Sequence, residues 1–179
     1  MPPTVILIPG NGGCSPADAW YPWVERELTA LGCLVINRQF PDSVQARARF
    51  WLPFIEALGA DANTILIGHS SGAVAAMRYA ETHQILGSVL VGVCHTDLGD
   101  RFEAQSGYYA APWQWKQIRD NQQFTAIFNS TDDPHIPIAE ARHVAAHLKA
   151  SYYELADRGH FVDSRLPEVV EFIRRQLGG

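Results

Sequence analysis

Short apolar runs alternate with stretches of helical period along the whole chain. Thr4-Val5-Ile6-Leu7-Ile8 and Thr64-Ile65-Leu66-Ile67 hold β-branched and aliphatic residues without a charge, as strands buried on both faces do. Similar runs predict strands over 33–37, 85–93, 124–128 and 151–155. Trp20, Trp23, Val24, Leu28 and Leu31 share one face at helical spacing and predict a helix over 20–31, ended by Gly32. Further helices are expected over 44–58, 71–83, 113–120, 139–148 and 166–177. Pro53 predicts a break or kink in the first of them. Residues 95–112 have no clear period and read as an ordered excursion. Strands alternating with helices imply parallel strands joined by right-handed crossovers. The expected fold class is α/β, a doubly wound, mostly parallel sheet flanked by helices, with residues 1–179 as one domain.

The stretch Gly68-His69-Ser70-Ser71-Gly72 lies between a predicted strand and a predicted helix. Strand, sharp turn and helix around Gly-x-Ser-x-Gly make a nucleophile elbow, which lifts the serine hydroxyl above the sheet. Glycine tolerates the close approach and unusual dihedrals of such a turn. Ser70 has glycines two positions away on either side, whereas Ser71 would have His69 and Ala73, so Ser70 is the candidate nucleophile. The pentapeptide alone leaves open a glycine-softened loop with an incidental serine.

A serine needs a base to take its proton and an acid to orient that base. With this elbow the partners follow in the order serine, acid, histidine. His160 lies in Asp157-Arg158-Gly159-His160-Phe161, after the last predicted strand, and is the candidate base. Asp133 in Ser130-Thr131-Asp132-Asp133-Pro134 is the candidate acid; Asp132 is the fallback or a turn cap. The oxyanion donors expected are the backbone N–H groups of Ser71 and of Asn11 in the loop after the first strand. That loop also resembles a phosphate cradle but lacks the full glycine pattern and the lysine of a nucleotide site. Candidate substrate-facing residues are Gly12, His69, Tyr108 and Trp113. For the aromatic residues of the excursion core packing is an equal alternative, and for His69 a structural hydrogen bond is the stronger one. His143 and His147 stand at i,i+4 but lack a third ligand, so a solvated helix face is expected and no metal.

Composition narrows the class. Apolar residues make up 47% and charged ones 18% of the 179 residues, as in an ordered globular chain. The net charge of −5 offers no basic footprint for nucleic acid. Cys14, Cys33 and Cys94 form no framework, as expected of reduced thiols in a cytoplasmic protein. Neither a signal peptide nor a membrane-spanning run is expected.

The chain resembles the small serine hydrolases of the retinoblastoma-binding protein 9 family, within the α/β-hydrolase superfamily. The resemblance rests on Pro9-Gly10-Asn11-Gly12-Gly13, Trp51-Leu52-Pro53-Phe54, Gly68-His69-Ser70-Ser71-Gly72, the run from Ala75 to His83, Asp97-Leu98-Gly99-Asp100, Ser106-Gly107-Tyr108, Pro112-Trp113-Gln114-Trp115, Ser130-Thr131-Asp132-Asp133-Pro134 and Gly159-His160-Phe161. It implies a minimal hydrolase without a large lid, with a triad on Ser70, Asp133 and His160. The partner in the family's name is bound through Leu-x-Cys-x-Glu; Leu31-Gly32-Cys33-Leu34-Val35 lacks the acid, so that partner is not expected. The expectation is a serine hydrolase without cofactor, acting on a small ester or amide. Its rivals are an acyltransferase using the same triad and a non-catalytic interaction module.

Overall fold

The structure, a computed structural model, describes residues 2–178, so the first and last residues of the expected domain lie outside it. The strands are β1 (Thr4–Ile8), β2 (Leu34–Asn37), β3 (Thr64–His69), β4 (Gly87–Val91), β5 (Phe124–Ser130) and β6 (Ser151–Leu155). The helices are α1 (Tyr21–Ala30), α2 (Ala48–Ala57), α3 (Ser71–Ala80), α4 (Arg101–Ala104), α5 (Trp115–Asp120), α6 (Ile138–Leu148) and α7 (Pro167–Gly178). The strands form one sheet in the order β2-β1-β3-β4-β5-β6, every pair parallel. This is the α/β-hydrolase architecture.

Alternation along each strand divides the core. In β1, Val5 and Leu7 join a layer with Trp20, Val24 and Leu28 of the α1 segment and Val169 and Ile173 of α7. Ile6 and Ile8 point the other way, into a layer with Trp51 and Ile55 of α2, the alanines of α3, and Val144 and Leu148 of α6. The chain winds one way from β1 to β2 and the other way from β3 onward. The loops after β1 and β3 therefore diverge and open a crevice at the carboxyl edge of the sheet, the usual place for a ligand.

One expectation is corrected, and of the break or kink expected at Pro53 the break does not occur. The second helix begins at Ala48 rather than 44, because residues 42–46 make a turn: Ala46 has φ +55° and its N–H donates to Asp42 O at 2.7 Å. The Arg47 guanidinium closes that turn on both Asp42 carboxylate oxygens, at 2.7 and 2.8 Å. Pro53 lies inside α2 without ending it. Only one intrahelical donor is lost there, and the buried Trp51 and Ile55 hold the helix through tertiary packing.

The excursion contains one short helix, α4, and is held by its neck. Trp113 Nε1 donates to His95 O at 2.8 Å. The Glu140 carboxylate accepts from the amides of His95 and Thr96, at 2.8 and 3.0 Å. From α3, Arg78 donates to the carbonyls of Tyr108, Ala111 and Pro112, at 2.7, 2.6 and 3.3 Å.

Candidate active site

Ser70 stands between β3 and α3 with φ +53° and ψ −116°, a strained conformation for a residue with a Cβ. Packing around it explains the two glycines. A Cβ on Gly68 would sit 2.3 Å from Gly72 O, and one on Gly72 would sit 2.3 Å from Ile8 O. Strand, helix and the end of β1 therefore meet at backbone distance. The turn is closed by Ser70 N–H donating to Val91 O at 2.8 Å, and by Ser70 O accepting from the amides of Ala73 and Val74 at 2.9 and 3.2 Å.

Asp133 and His160 come from the loops after β5 and β6. His160 Nδ1 is 2.7 Å from Asp133 Oδ2, and the Asp133 side chain is fully buried. Asp133 Oδ1 accepts from the amides of His135 and Ile136 at 2.8 and 3.1 Å. Burial pushes the Asp133 carboxyl up, but the hydrogen bonds from His160 and these amides outweigh it and hold the group below its ordinary value. An ionised carboxylate at Nδ1 fixes the proton there and leaves Nε2 as the acceptor. Asp132 accepts from Gly159 N–H at 3.0 Å and from Ser130 Oγ, so it ties the loop of Asp133 to the loop of His160.

Ser70 and His160 line one cavity of about 650 Å³, together with Gly10, Asn11, Cys14, His69 and Ser71. Leu98, Phe102 and Val162 form an exposed apolar mouth, and Asp100 and Glu103 lie on one wall. The amides of Gly10, Gly12 and Gly13 are occupied, by Tyr21 Oη, Val44 O and Ser43 O. Among the described residues the Asn11 and Ser71 amides donate to no protein acceptor, and both residues line the cavity.

The remaining candidates are placed as follows. His69 lines the cavity, but its ring nitrogens lie 3.0 Å from Tyr21 Oη and 2.8 Å from His160 O. Burial pushes its pKa down to about 4. Gly12 lies outside the lining. Tyr108 also lies outside it, in the core with 1% exposure; its neighbour Tyr109 is the tyrosine in the wall. Trp113 is likewise off the cavity, with the Arg78 guanidinium 3.6 Å from its ring centroid. His143 stacks on His95 and on His147, at 3.9 and 4.1 Å, and no metal-type grouping of three or more ligands occurs among the described residues.

Three contributors escape a reading of the sequence alone. Glu103 Oε1 accepts from Asn11 Nδ2 at 2.6 Å. Gly92 has φ +60°, a left-handed conformation that favours glycine, and lies directly against the His160 ring. Tyr21 reaches both His69 and Gly10. Only Gly92 carries a local signal, a glycine at the end of an apolar strand.

Comparison with known proteins bears on the whole chain. A family described as serine hydrolase matches residues 5–170. A serine hydrolase named RBBP9 from Rattus norvegicus is 44% identical over 179 residues, covering 98% of this chain and 96% of the relative. A putative hydrolase, YdeN, from Bacillus subtilis is 24% identical over 168 residues, covering 91% of this chain and 88% of its own length. The crystal structure of the ydeN gene product superposes with a TM-score of 0.88 over 99% of this chain and 100% of that one, at 24% identity. Est1E from Butyrivibrio proteoclasticus gives 0.76 over 98% and 87%, at 15% identity. At those identities the two structures speak for the fold alone.

Proposed function

We propose that this chain, which belongs to the serine hydrolase family, cleaves a small ester or amide through an acyl-enzyme on Ser70. One observation carries the reading: the buried Asp133–His160 pair faces the cavity into which Ser70 and the free amides of Asn11 and Ser71 open.

In the proposed reaction His160 Nε2 takes the hydroxyl proton while Ser70 Oγ adds to the substrate carbonyl. The carbonyl oxygen becomes an oxyanion held by the Asn11 and Ser71 amides. His160 then gives its proton to the leaving alcohol or amine, and the carbon–heteroatom bond breaks. Water, deprotonated by the same nitrogen, attacks the acyl-enzyme and releases the acid and the free serine. Asp133 stabilises the transient imidazolium without taking its proton. None of these steps calls on a cofactor.

The cavity suits a small-molecule substrate of esterase or aminoacyl-hydrolase type. Its apolar mouth at Leu98, Phe102 and Val162 would receive an aliphatic or aromatic group. Among the described residues no helix is long and apolar enough to cross a membrane, and Cys14, Cys33 and Cys94 are free. A cytoplasmic setting is part of the proposal.

Intact mass after treatment with a fluorophosphonate tests the reading. The parent should gain one adduct and Ser70→Ala none. A folded parent that takes no adduct would favour the interaction-module rival. A reactive parent, given an ester substrate without the probe, that passes the acyl group from Ser70 to an added alcohol or amine faster than to water would favour the acyltransferase.

A further inference from the structure

Tyr21, His69 and the backbone of His160 form a hydrogen-bond chain whose direction is forced from one end. His69 Nε2 lies 2.8 Å from His160 O. A carbonyl oxygen has no proton to give, so Nε2 carries the N–H and donates. His69 is 4% exposed, and burial keeps its imidazole neutral. Its Nδ1 is therefore a bare acceptor and accepts a hydrogen bond from the Tyr21 hydroxyl across 3.0 Å. The Tyr21 oxygen is left to accept, and Gly10 N–H donates to it at 3.2 Å.

The ring is packed in this arrangement: Trp20 meets it edge-on at 5.9 Å between centroids, and protein covers all but 4% of the residue. With both nitrogens committed, His69 has no hydrogen bond to offer a substrate, although it borders the cavity.

The ends of the chain are the two sides of the reaction centre. Gly10 precedes Asn11, whose amide is assigned above to the oxyanion, and His160 is assigned the proton. We propose that Tyr21 and His69 are positioning residues that set the distance between the oxyanion loop and the general base. This inference rests on the roles proposed above for Ser70, Asp133 and His160. The pair spans β1, α1, β3 and the loop after β6, and it joins the two sides through side chains.

The test uses Tyr21→Phe, with Tyr79→Phe as a control for losing a buried tyrosine hydroxyl, since Tyr79 Oη bonds Ala60 O away from the cavity. Hydrolysis of p-nitrophenyl acetate, the rate of fluorophosphonate labelling and thermal melting are measured on each. The low-field proton resonance of the His160–Asp133 hydrogen bond is followed by NMR. Tyr21→Phe should lower kcat about 5- to 30-fold, as loss of the hydroxyl's two modest hydrogen bonds would, with KM within about twofold. Labelling should slow by the same factor and the low-field proton should shift or broaden. Tyr79→Phe should leave all three near the parent. His69→Gln keeps a donor for the His160 carbonyl and should exceed His69→Leu in kcat.

A folded Tyr21→Phe with parental kcat, labelling rate and low-field proton overturns the proposal. If Tyr21→Phe fails to fold, equal kcat for His69→Gln and His69→Leu overturns it instead. If the parent is neither labelled nor active, it is the functional reading that fails. The low-field proton then decides the positioning role by itself, an unmoved signal in Tyr21→Phe counting against it.

Discussion

Asn11 and Glu103 stand 92 positions apart in the chain, yet Asn11 Nδ2 donates to Glu103 Oε1 across 2.6 Å. This bond fastens α4 to the loop after β1. Burial pushes the Glu103 carboxyl above its ordinary value, with Asp100 and Asp97 adding to the effect and the Asn11 hydrogen bond opposing it. Glu103→Ala is therefore expected to free the Asn11 side chain and loosen the loop proposed to hold the oxyanion. A hydrogen bond to a charged group is worth about 1.5–3 kcal/mol, so kcat should fall about tenfold or more. Steady-state kinetics on an aryl ester, with melting run alongside, check this; an unchanged kcat would mean that the loop's backbone bonds suffice.

Acid should weaken the same loop by another route. The hydrogen bonds from Arg47 hold Asp42 at about 2, below its ordinary 3.8. A depressed carboxylate contributes stability above its unfolded pKa and loses it as pH falls through the folded one. The contribution is thus present above about pH 4 and gone below about pH 2. The turn that Asp42 closes also receives the Gly12 and Gly13 amides on Val44 O and Ser43 O. Asp42→Asn should flatten stability against pH across that window, as read by urea melts. A profile parallel to the parent would show that the ion pair contributes nothing to folding.

Two glycines separate steric need from conformational need. Gly72→Ala would drive a methyl to 2.3 Å from a backbone oxygen that no rotamer can move. Overpacking of this sort costs about 1–3 kcal/mol or more, and Ser70 should be displaced with it. Gly12 has φ +77° and open space for at least 4 Å around the position a Cβ would take. Gly12→Ala should therefore cost only the left-handed penalty of about 1–2 kcal/mol. Melting of both variants gives the comparison; equal losses would contradict the packing argument.

Arg78 should matter to the excursion more than to the chemistry. Its side chain is 9% exposed and is paired with Glu81 at 2.7 Å. Arg78→Ala would leave Glu81 with only the Gln114 amide and three carbonyls without the guanidinium, a loss of about 3–5 kcal/mol by analogy with broken buried pairs. Limited proteolysis should then cut between residues 105 and 112 before the rest of the chain opens. Uniform resistance in the variant would refute the clasp.

Local signals make much of this legible. Uncharged aliphatic runs mark the strands that are covered on both faces, and all six appear where expected, with ends shifted by a few residues. Chain order and loop position single out Ser70, Asp133 and His160, and the acid and the histidine meet at 2.7 Å beside the serine's cavity. Glu103 and Tyr21 are illegible because their partners lie 92 and 48 positions away, and nothing near either residue points across the sheet edge. Helix α2 reads too long from its sequence for a similar reason. An ion pair between Asp42 and Arg47 shapes the turn before it, and the apolar pattern carries no trace of that pair.

The clasp on the excursion grips main-chain oxygen atoms at Tyr108, Ala111 and Pro112, which every sequence supplies. Its neck closes on another such atom, His95 O. Leu98 and Phe102, exposed between these points, take no part in that anchoring, whereas Glu103 and Tyr109 add to it through Asn11 Nδ2 and Cys94 Sγ. In evolutionary terms the mouth is the interchangeable fitting: Leu98 and Phe102 can be rewritten while Glu103, the buried Tyr108 and the strands beneath stay as they are.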